Sequence, residues 1–116
     1  MFALKAFMKA RLLEEITKLA DLISKQYNLY YAKINITNAI TRWGSCSSKK
    51  NLSFSSRLAS APLDIIEYVV VHEMCHLEEM NHSKRFWALV ETIYPNYKNA
   101  KLWLKNHEQN NIETFQ

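Results

Sequence analysis

Two histidines and a glutamate stand within five consecutive residues, in the order His72-Glu73-Met74-Cys75-His76. Residues four apart on an α-helix lie about 40° apart around its axis and one turn along it, so the two imidazoles can bind one metal ion. Zinc suits such a pair of ligands, with Zn–N distances of about 2.0–2.1 Å. Glu73 lies roughly 100° around the helix from His72, which predicts that it handles a metal-activated water instead of binding the metal.

This H-E-x-x-H pattern is typical of metallopeptidases, in which the glutamate is the general base. A catalytic zinc needs a third protein ligand and one open position. We predict that His82 is the third ligand, because a helix stop at Asn81 lets the chain turn back toward the metal. The same histidine spacing occurs in metzincins, which have a glycine at the position of Glu79. Glu91, on the following helix, is the alternative ligand.

The metal-binding motif falls in the second of four predicted helices. The first helix spans residues 4–27, where apolar residues recur at steps of three and four. Pro62 begins the second helix, since proline lacks the N–H that a first turn leaves unpaired. Apolar residues cover nearly every side of this second helix, so we expect it to be buried, to lie across the sheet and to end near Met80-Asn81.

Two shorter helices are predicted after the motif. Ser83 is the expected N-cap of the third helix, and Pro95 separates that helix from the fourth. We expect Trp87 and Trp103, one on each of these helices, to be core aromatics. The tail from about residue 108 to 116 is polar, and we expect it to be loose.

Three strands are predicted between the first two helices. Residues 32–37 alternate between apolar and polar side chains, which is typical of a half-buried strand. Residues 40–46 and 52–56 are two further strands, and the polar stretch 47–50 suits a hairpin loop between them. One helix, three strands and three helices predict a single α+β domain over residues 1–116.

The composition is that of an ordinary globular domain. The chain has 116 residues, of which 48% are hydrophobic and 22% charged, and it shows no transmembrane run. Basic residues interrupt its apolar start, so we expect no secretory segment. Its net charge of +4 is compatible with an anionic partner. Cys46 and Cys75 are too few for a disulfide framework and predict reduced thiols. We therefore expect a cytoplasmic protein without a membrane partner.

The stretch from Arg42 to Lys105 resembles the YgjP-like metallopeptidase family, which is related to SprT-like and other minimal zincins. Three separated blocks carry the resemblance, in the same order as in the family: residues 42–47, 64–76 and 81–87. The resemblance implies a zincin-like domain with Glu73 as general base and three zinc ligands, His72, His76 and His82. The chain lacks most of the N-terminal β-rich portion of longer members, so it is either a minimal member or a fragment.

By analogy with zincins, the strand that enters the hairpin is the antiparallel edge of a mostly antiparallel sheet with the order first, third, second. Gly44, the only glycine in the chain, lies in that strand, where glycine often marks the close approach of another backbone. We therefore expect an extended peptide or protein substrate to pair with this edge, with contacts from Arg42, Gly44 and Ser45. A bulge or a relief of packing around Trp43 is the alternative reason for the glycine.

Two other functions are compatible with the same zinc site. The substrate is a nucleotide phosphoanhydride if basic side chains converge near the metal; the candidates are Arg42, Lys49, Lys50, Arg57, Lys84 and Arg85. The domain is a nucleic-acid adaptor if the zinc is structural, but Glu73 argues against this because structural sites fill the fourth position with Cys or His. A second electrophile would come from Tyr94, Arg85 or Arg57. The sequence does not determine the oligomeric state.

Overall fold

The computed structural model describes residues 2–108, with side chains from residue 6 onward. A long helix is followed by a small sheet and then by three helices, which confirms the predicted α+β organisation. The elements are α1 (Phe2–Tyr27), β1 (Lys33–Thr37), β2 (Gly44–Cys46), β3 (Asn51–Ser55), a 3-10 helix (Ser56–Ser60), α2 (Leu63–Cys75), α3 (Lys84–Ile93) and α4 (Tyr97–Asn106).

The sheet has the order β1-β3-β2, as predicted, with β2 at one edge. β2 is antiparallel to β3, but β1 is parallel to β3, so the sheet is mixed and not mostly antiparallel. The reason is the short connection at residues 38–43, which makes β2 begin at the end of the sheet where β1 finishes. The second strand is also shorter than predicted because this connection takes up residues 40–43. The Ser55 hydroxyl stabilises the connection by donating a hydrogen bond to the Ala39 carbonyl at 2.8 Å.

A tight turn joins β2 to β3 within the predicted loop at residues 47–50. The Ser47 N–H donates to the Asn51 carbonyl at 3.0 Å, and the Lys50 N–H donates to the Ser47 carbonyl at 2.9 Å. Lys50 closes the turn with a φ of 66°. The turn fixes the register in which Gly44 lies opposite Phe54.

α2 is the central helix of the fold, and its predicted burial is confirmed. Ten of its 13 residues are buried, because α1, β2, α3 and α4 all pack against it. Val69 and Val70 are completely buried, and each such side chain contributes about 1.5–3 kcal/mol relative to an exposed one. The helix that carries the metal motif is therefore held rigidly by the core.

α2 ends at Cys75, earlier than the predicted end near Met80-Asn81. Tight turns replace the helix there: the Leu77 N–H donates to the Met74 carbonyl at 3.0 Å, and the Glu79 N–H donates to the Cys75 carbonyl at 2.9 Å. Asn81 is not the left-handed pivot that was expected, since Asn28 and Lys50 are the only non-glycine residues with positive φ in the described part of the chain. The chain reverses through this turn and not through a left-handed cap.

The third helix begins directly after Ser83, and Pro95 lies between the last two helices, as predicted. Ser83 caps α3, its Oγ accepting the Phe86 N–H at 3.3 Å. Trp87 and Trp103 are half-buried and are not the core aromatics that were predicted. Each lies at the border of the core: Trp87 beside the histidine cluster, and Trp103 stacked on the exposed His107 ring at 3.7 Å. The predicted loose tail lies, from residue 109 on, outside the described residues.

Both cysteines are free thiols, as predicted; Cys75 is buried and Cys46 half-buried. Among the helices of the described residues, none has the length and apolarity needed to cross a membrane.

Candidate metal centre and active site

Three histidine side chains converge where α2 ends. The Nε2 atom of His82 lies 3.1 Å from Nε2 of His76 and 3.3 Å from Nε2 of His72. The three nitrogens all lie within 4.8 Å of one another, close enough to hold one metal ion. Tetrahedral ligands at the usual Zn–N distance stand about 3.3–3.4 Å apart, so the spacing of these nitrogens fits zinc.

Hydrogen bonds at the opposite ring nitrogens orient two of the three imidazoles. Nδ1 of His76 lies 2.9 Å from the Glu79 carbonyl, to which its N–H donates. Nδ1 of His72 lies 3.2 Å from the hydroxyl oxygen of the buried Tyr68. With Nδ1 protonated, His76 directs the lone pair of its Nε2 into the cluster, and His72 does the same in the tautomer whose Nδ1–H donates to Tyr68. A cation relieves the repulsion between such lone pairs. The early end of α2 is thus part of the site, because it brings the Glu79 carbonyl to the His76 ring.

The surroundings keep the three imidazoles neutral, which is the form that binds metals. Burial, with the nearby His76 and His82, lowers the pKa of His72 well below its ordinary value. Burial lowers the pKa of His76, and burial followed by the charges of His76 and Lys101 lowers that of His82. His72 and His76 are buried at 1% and 7% exposure, while His82 is exposed. The cluster therefore opens to solvent on the His82 side.

Two aromatic residues of α3 form the wall of the cluster. The Phe86 ring stacks on His76 at a centroid distance of 4.3 Å and meets His72 edge-on at 5.0 Å. The Trp87 ring lies 6.1 Å from that of His82. The sequence indicated only that Phe86 belongs to the core face of its helix. It gave no sign that this face continues into the histidines.

Glu73 lies beside the cluster with its carboxylate against β2. The residue is buried at 2% exposure. A Cβ atom built on Gly44 would stand 3.2 Å from Glu73 Cγ and 3.3 Å from Glu73 Oε2. The same Cβ would stand 3.1 Å from the Ser53 carbonyl oxygen, so tight contacts with both Ser53 and Glu73 favour glycine at this position. Burial raises the pKa of Glu73 to about 8, and the positive charge of Arg42 partly opposes this rise.

The edge of β2 near Glu73 is open in the described part of the structure. The Trp43 carbonyl accepts the Ser55 N–H, and the Ser47 N–H donates to Asn51. Because peptide groups alternate in direction along an antiparallel strand, those of Gly44 and Cys46 point away from β3. Within residues 2–108 no strand pairs with them.

The predicted substrate residues fall on two faces of this edge. Arg42 is exposed, and its charge acts on Glu73. Gly44 adjoins Glu73 directly, whereas Ser45 projects to the opposite face of the sheet, as alternate residues of a strand do. Arg42 and Gly44 thus belong to the Glu73 side, and Ser45 does not.

The other candidates do not join the three converging histidines, although Lys84 and Glu91 line a pocket with His82. Glu91 is exposed on α3 and is not among the three residues that converge. Arg57 lies over the Trp43 ring at 4.2 Å and donates to the His107 carbonyl. The Tyr94 hydroxyl donates to the Asp64 carbonyl at 3.0 Å. The remaining basic candidates are exposed, on the hairpin turn and at the start of α3: Lys49, Lys50, Lys84 and Arg85.

Lys101 on α4 is the basic residue near the cluster that the sequence reasoning missed. Its positive charge contributes to the lowered pKa of both His72 and His82. Its Nζ lies 4.1 Å from the centroid of the Trp87 ring. No local pattern marks it, because α4 is distant from the motif in sequence and reaches the site only through the packing of α4 against α2.

Comparison with known proteins identifies the family. The model of the YgjP-like metallopeptidase domain matches residues 2–107. The chain belongs to this family. By membership it is a metallopeptidase domain, an enzyme of the metal-dependent class, and its histidine cluster suits the ion that such enzymes need.

Two solved structures share the fold. The crystal structure of the metallopeptidase zymogen abylysin from Pyrococcus abyssi has a TM-score of 0.73, with 17% identity, 84% of this chain covered and 99% of that chain. That of the metallopeptidase zymogen jannalysin from Methanocaldococcus jannaschii has a TM-score of 0.68, with 18% identity and coverages of 78% and 94%. The predicted likeness to minimal zincins is therefore confirmed for the fold.

A similar curated protein is the UTP pyrophosphatase of Escherichia coli K12. It is 31% identical over 65 residues, which make up 53% of this chain and 39% of that protein. The chain thus matches about two fifths of the length of this relative.

Proposed function

We propose that the chain is a zinc metallopeptidase that hydrolyses peptide bonds, with His72, His76 and His82 as ligands and Glu73 as general base. One observation carries the proposal: three Nε2 atoms converge at metal-binding spacing beside the end of α2 that also carries the buried Glu73 carboxylate. Three neutral histidines leave the fourth position of a tetrahedral zinc open, as catalytic sites require.

The bound zinc would supply an acidified water and polarise the scissile carbonyl group. Glu73 takes the proton released in the attack and passes it to the leaving amine. Burial raises the pKa of Glu73 above its ordinary value, which makes the carboxylate a stronger proton acceptor. The absence of a side chain at Gly44 leaves room for this carboxylate.

The open edge of β2 suits an extended peptide substrate. The outward peptide groups of Gly44 and Cys46 offer main-chain hydrogen bonds with little side-chain selectivity. Gly44 lies close to Glu73, so a peptide bound at this edge passes close to the catalytic carboxylate. Arg42 lies on the same side and suits a carbonyl or carboxylate of the substrate.

Hydrolysis of a nucleotide phosphoanhydride is the second candidate function. The relative that bears the name UTP pyrophosphatase favours it, as do the cations on both sides of the cluster, Arg42 and Lys101. In-line attack on phosphorus uses the same metal and the same base, so the two candidates differ in how the substrate is held.

One assay separates the two candidates. Metal-loaded protein is incubated with a denatured protein and, in parallel, with UTP, and Glu73→Gln protein from the same preparation is the control. We expect cleavage of the denatured protein by the wild type only. If UTP is hydrolysed and no peptide bond is cleaved, the second candidate replaces the first. If the Gln variant retains either activity, that activity does not belong to this site.

A further inference from the structure

A pocket of about 390 Å³ opens beside the exposed His82. Its volume lies within the range of about 300–1,000 Å³ that is usual for ligand pockets. One face of α3 forms most of the wall, through Lys84, Trp87, Ala88 and Glu91, and Tyr97 contributes from the start of α4. Because His82 belongs both to this pocket and to the histidine cluster, a group held in the pocket lies next to the proposed metal site.

Aromatic rings supply most of the apolar surface of the pocket. The Trp87 ring lies at 25° to the Tyr97 ring with a centroid distance of 5.5 Å, and the His82 ring lies at 29° to the Trp87 ring. Nζ of Lys101 lies 4.1 Å from the centroid of the Trp87 ring, and this cation–π contact helps to fix the orientation of the indole. Trp87 and Tyr97 are both half-buried, so part of each side chain stays accessible. The pocket therefore has an aromatic wall that is already in place before a ligand binds.

The charged residues of the pocket oppose one another. Lys84 and Glu91 are both exposed and stand seven residues apart on α3, which places them on the same side of the helix. A cationic or an anionic occupant would meet a like charge as well as an opposite one. The lining residues therefore favour an uncharged apolar group over an ion.

We propose that this pocket is a specificity subsite that takes an aromatic side chain of the peptide substrate, close to the bond that is cleaved. Aromatic rings attract one another beyond the effect of buried area, so the rings of Trp87 and Tyr97 favour a ring over an aliphatic side chain. The subsite would add side-chain selectivity to the main-chain hydrogen bonds of the β2 edge. This role in cleavage rests on the proposed function. The binding of the ring does not.

The indole group of Trp87 reports on binding in the pocket. In the zinc-loaded full chain, its ¹H–¹⁵N resonance, assigned by its loss in Trp87→Phe, is followed during titration with N-acetylphenylalaninamide and, in parallel, with N-acetylalaninamide and with uridine. We expect a saturable shift with the phenylalanine amide. The alanine amide should bind at least about tenfold more weakly, because it buries less apolar area.

A variant that fills the pocket provides the matched comparison. Ala88 is exposed on α3, so Ala88→Leu should keep the fold and the metal while it occupies part of the pocket. We expect it to weaken binding of the phenylalanine amide about tenfold. Thr92→Leu, one turn further along the same helix and outside the pocket, should bind like the wild type.

The binding measurements decide the subsite independently of catalysis. The proposal is overturned if the phenylalanine amide does not shift the resonance, if the alanine amide binds equally well, or if Ala88→Leu binds like Thr92→Leu. Binding of uridine without binding of the phenylalanine amide would also overturn it and would assign the pocket to the base of a nucleotide.

The positions of cleavage in a denatured protein test the role in catalysis. We expect aromatic residues to be enriched beside the cleaved bonds, as read by mass spectrometry, and Ala88→Leu to reduce this enrichment while Thr92→Leu retains it. Cleavage without any aromatic preference would overturn the specificity role. If no peptide bond is cleaved but the phenylalanine amide binds as expected, the proposed function fails and the aromatic subsite stands.

Discussion

The proposed metal side and the proposed substrate side of this site are built in different ways. The metal side comes from one short stretch, in which His72, His76 and His82 fall within eleven residues and the aromatic wall follows directly. The substrate side is assembled from the β2 edge and from Lys101 on α4, which are far apart in the chain. The first has two buried histidines and a wall of aromatic rings and opens to solvent only at His82, whereas the second is open and positively charged. The comparison suggests that the chemistry is fixed locally, while the choice of substrate depends on the packing of distant elements.

The largest effect should come from Glu73, where the two sides meet. Glu73→Gln keeps the shape of the side chain but removes the proton acceptor, so hydrolysis should fall about 10³-fold or more. Metal content and melting temperature should stay close to those of the wild type. Steady-state kinetics and elemental analysis check this. Loss of the metal in this variant would mean that Glu73 contributes to metal binding and not to proton transfer.

The next largest effect should be on metal affinity. His82→Ala removes one of three converging nitrogens and should weaken zinc binding by more than about 100-fold, beyond the loss typical of removing a group that only orients a ligand. A competitive chelator titration measures the affinity. Glu91→Ala is the matched control and should bind zinc normally, since Glu91 lies outside the cluster. Equal affinities in the two variants would contradict the three-histidine centre.

A substitution on the substrate side should affect catalysis without affecting the metal. In Gly44→Val the new Cβ stands 3.1 Å from the Ser53 carbonyl and 3.2 Å from Glu73 Cγ, so the carboxylate must shift. We expect folding and zinc binding to be retained and peptide cleavage to fall about 100-fold, the usual cost of misplacing a catalytic group by about an ångström. Ser45→Val, on the opposite face of the strand, should cleave normally. A similar loss in both variants would indicate general damage to the strand.

A smaller effect is expected from the partner of His72. Tyr68→Phe removes the hydroxyl oxygen that lies 3.2 Å from His72 Nδ1, so the imidazole loses its orienting bond. Zinc affinity should fall about tenfold. Tyr94→Phe is the control, because its hydroxyl bonds to the Asp64 carbonyl and not to a histidine. If both variants bind zinc as tightly as the wild type, the hydroxyl does not contribute to the metal side.

The smallest effect concerns stability in metal-free protein. The folded protein holds the Glu73 proton up to about pH 8, whereas the unfolded chain releases it near the ordinary value of 4.5. Between these values the folded state binds more protons, so this group lowers the free energy of unfolding as pH rises. The Glu73→Gln variant has no carboxyl group to titrate, so it does not lose this stability as pH rises. Its melting temperature relative to the wild type should therefore increase from pH 4.5 to 8, as measured by calorimetry; a constant difference would contradict the raised pKa.

Much of the fold follows from local patterns. The apolar surface of α2 predicted its burial, Ser83 predicted the start of α3, and the alternation of residues 32–37 predicted β1. The predicted end of α2 lay too far along the chain, because the prediction assumed that Asn81 ends the helix in a left-handed conformation. The actual stop is a set of tight turns held by the bond from His76 to the Glu79 carbonyl. Such a bond joins a side chain to a turn that exists only once the chain has folded.

The sequence by itself determined which residues can bind a metal and which can move a proton, because the spacing of His72, Glu73 and His76 needs only the geometry of one helix. The tertiary structure decided the rest. It brought Gly44 against Glu73, directed an open strand edge past the carboxylate, and placed Lys101 near the histidine cluster. These contacts join residues that are about twenty to thirty positions apart in the sequence. Their energies depend on burial and on charges from other elements, and no local pattern of residues encodes either.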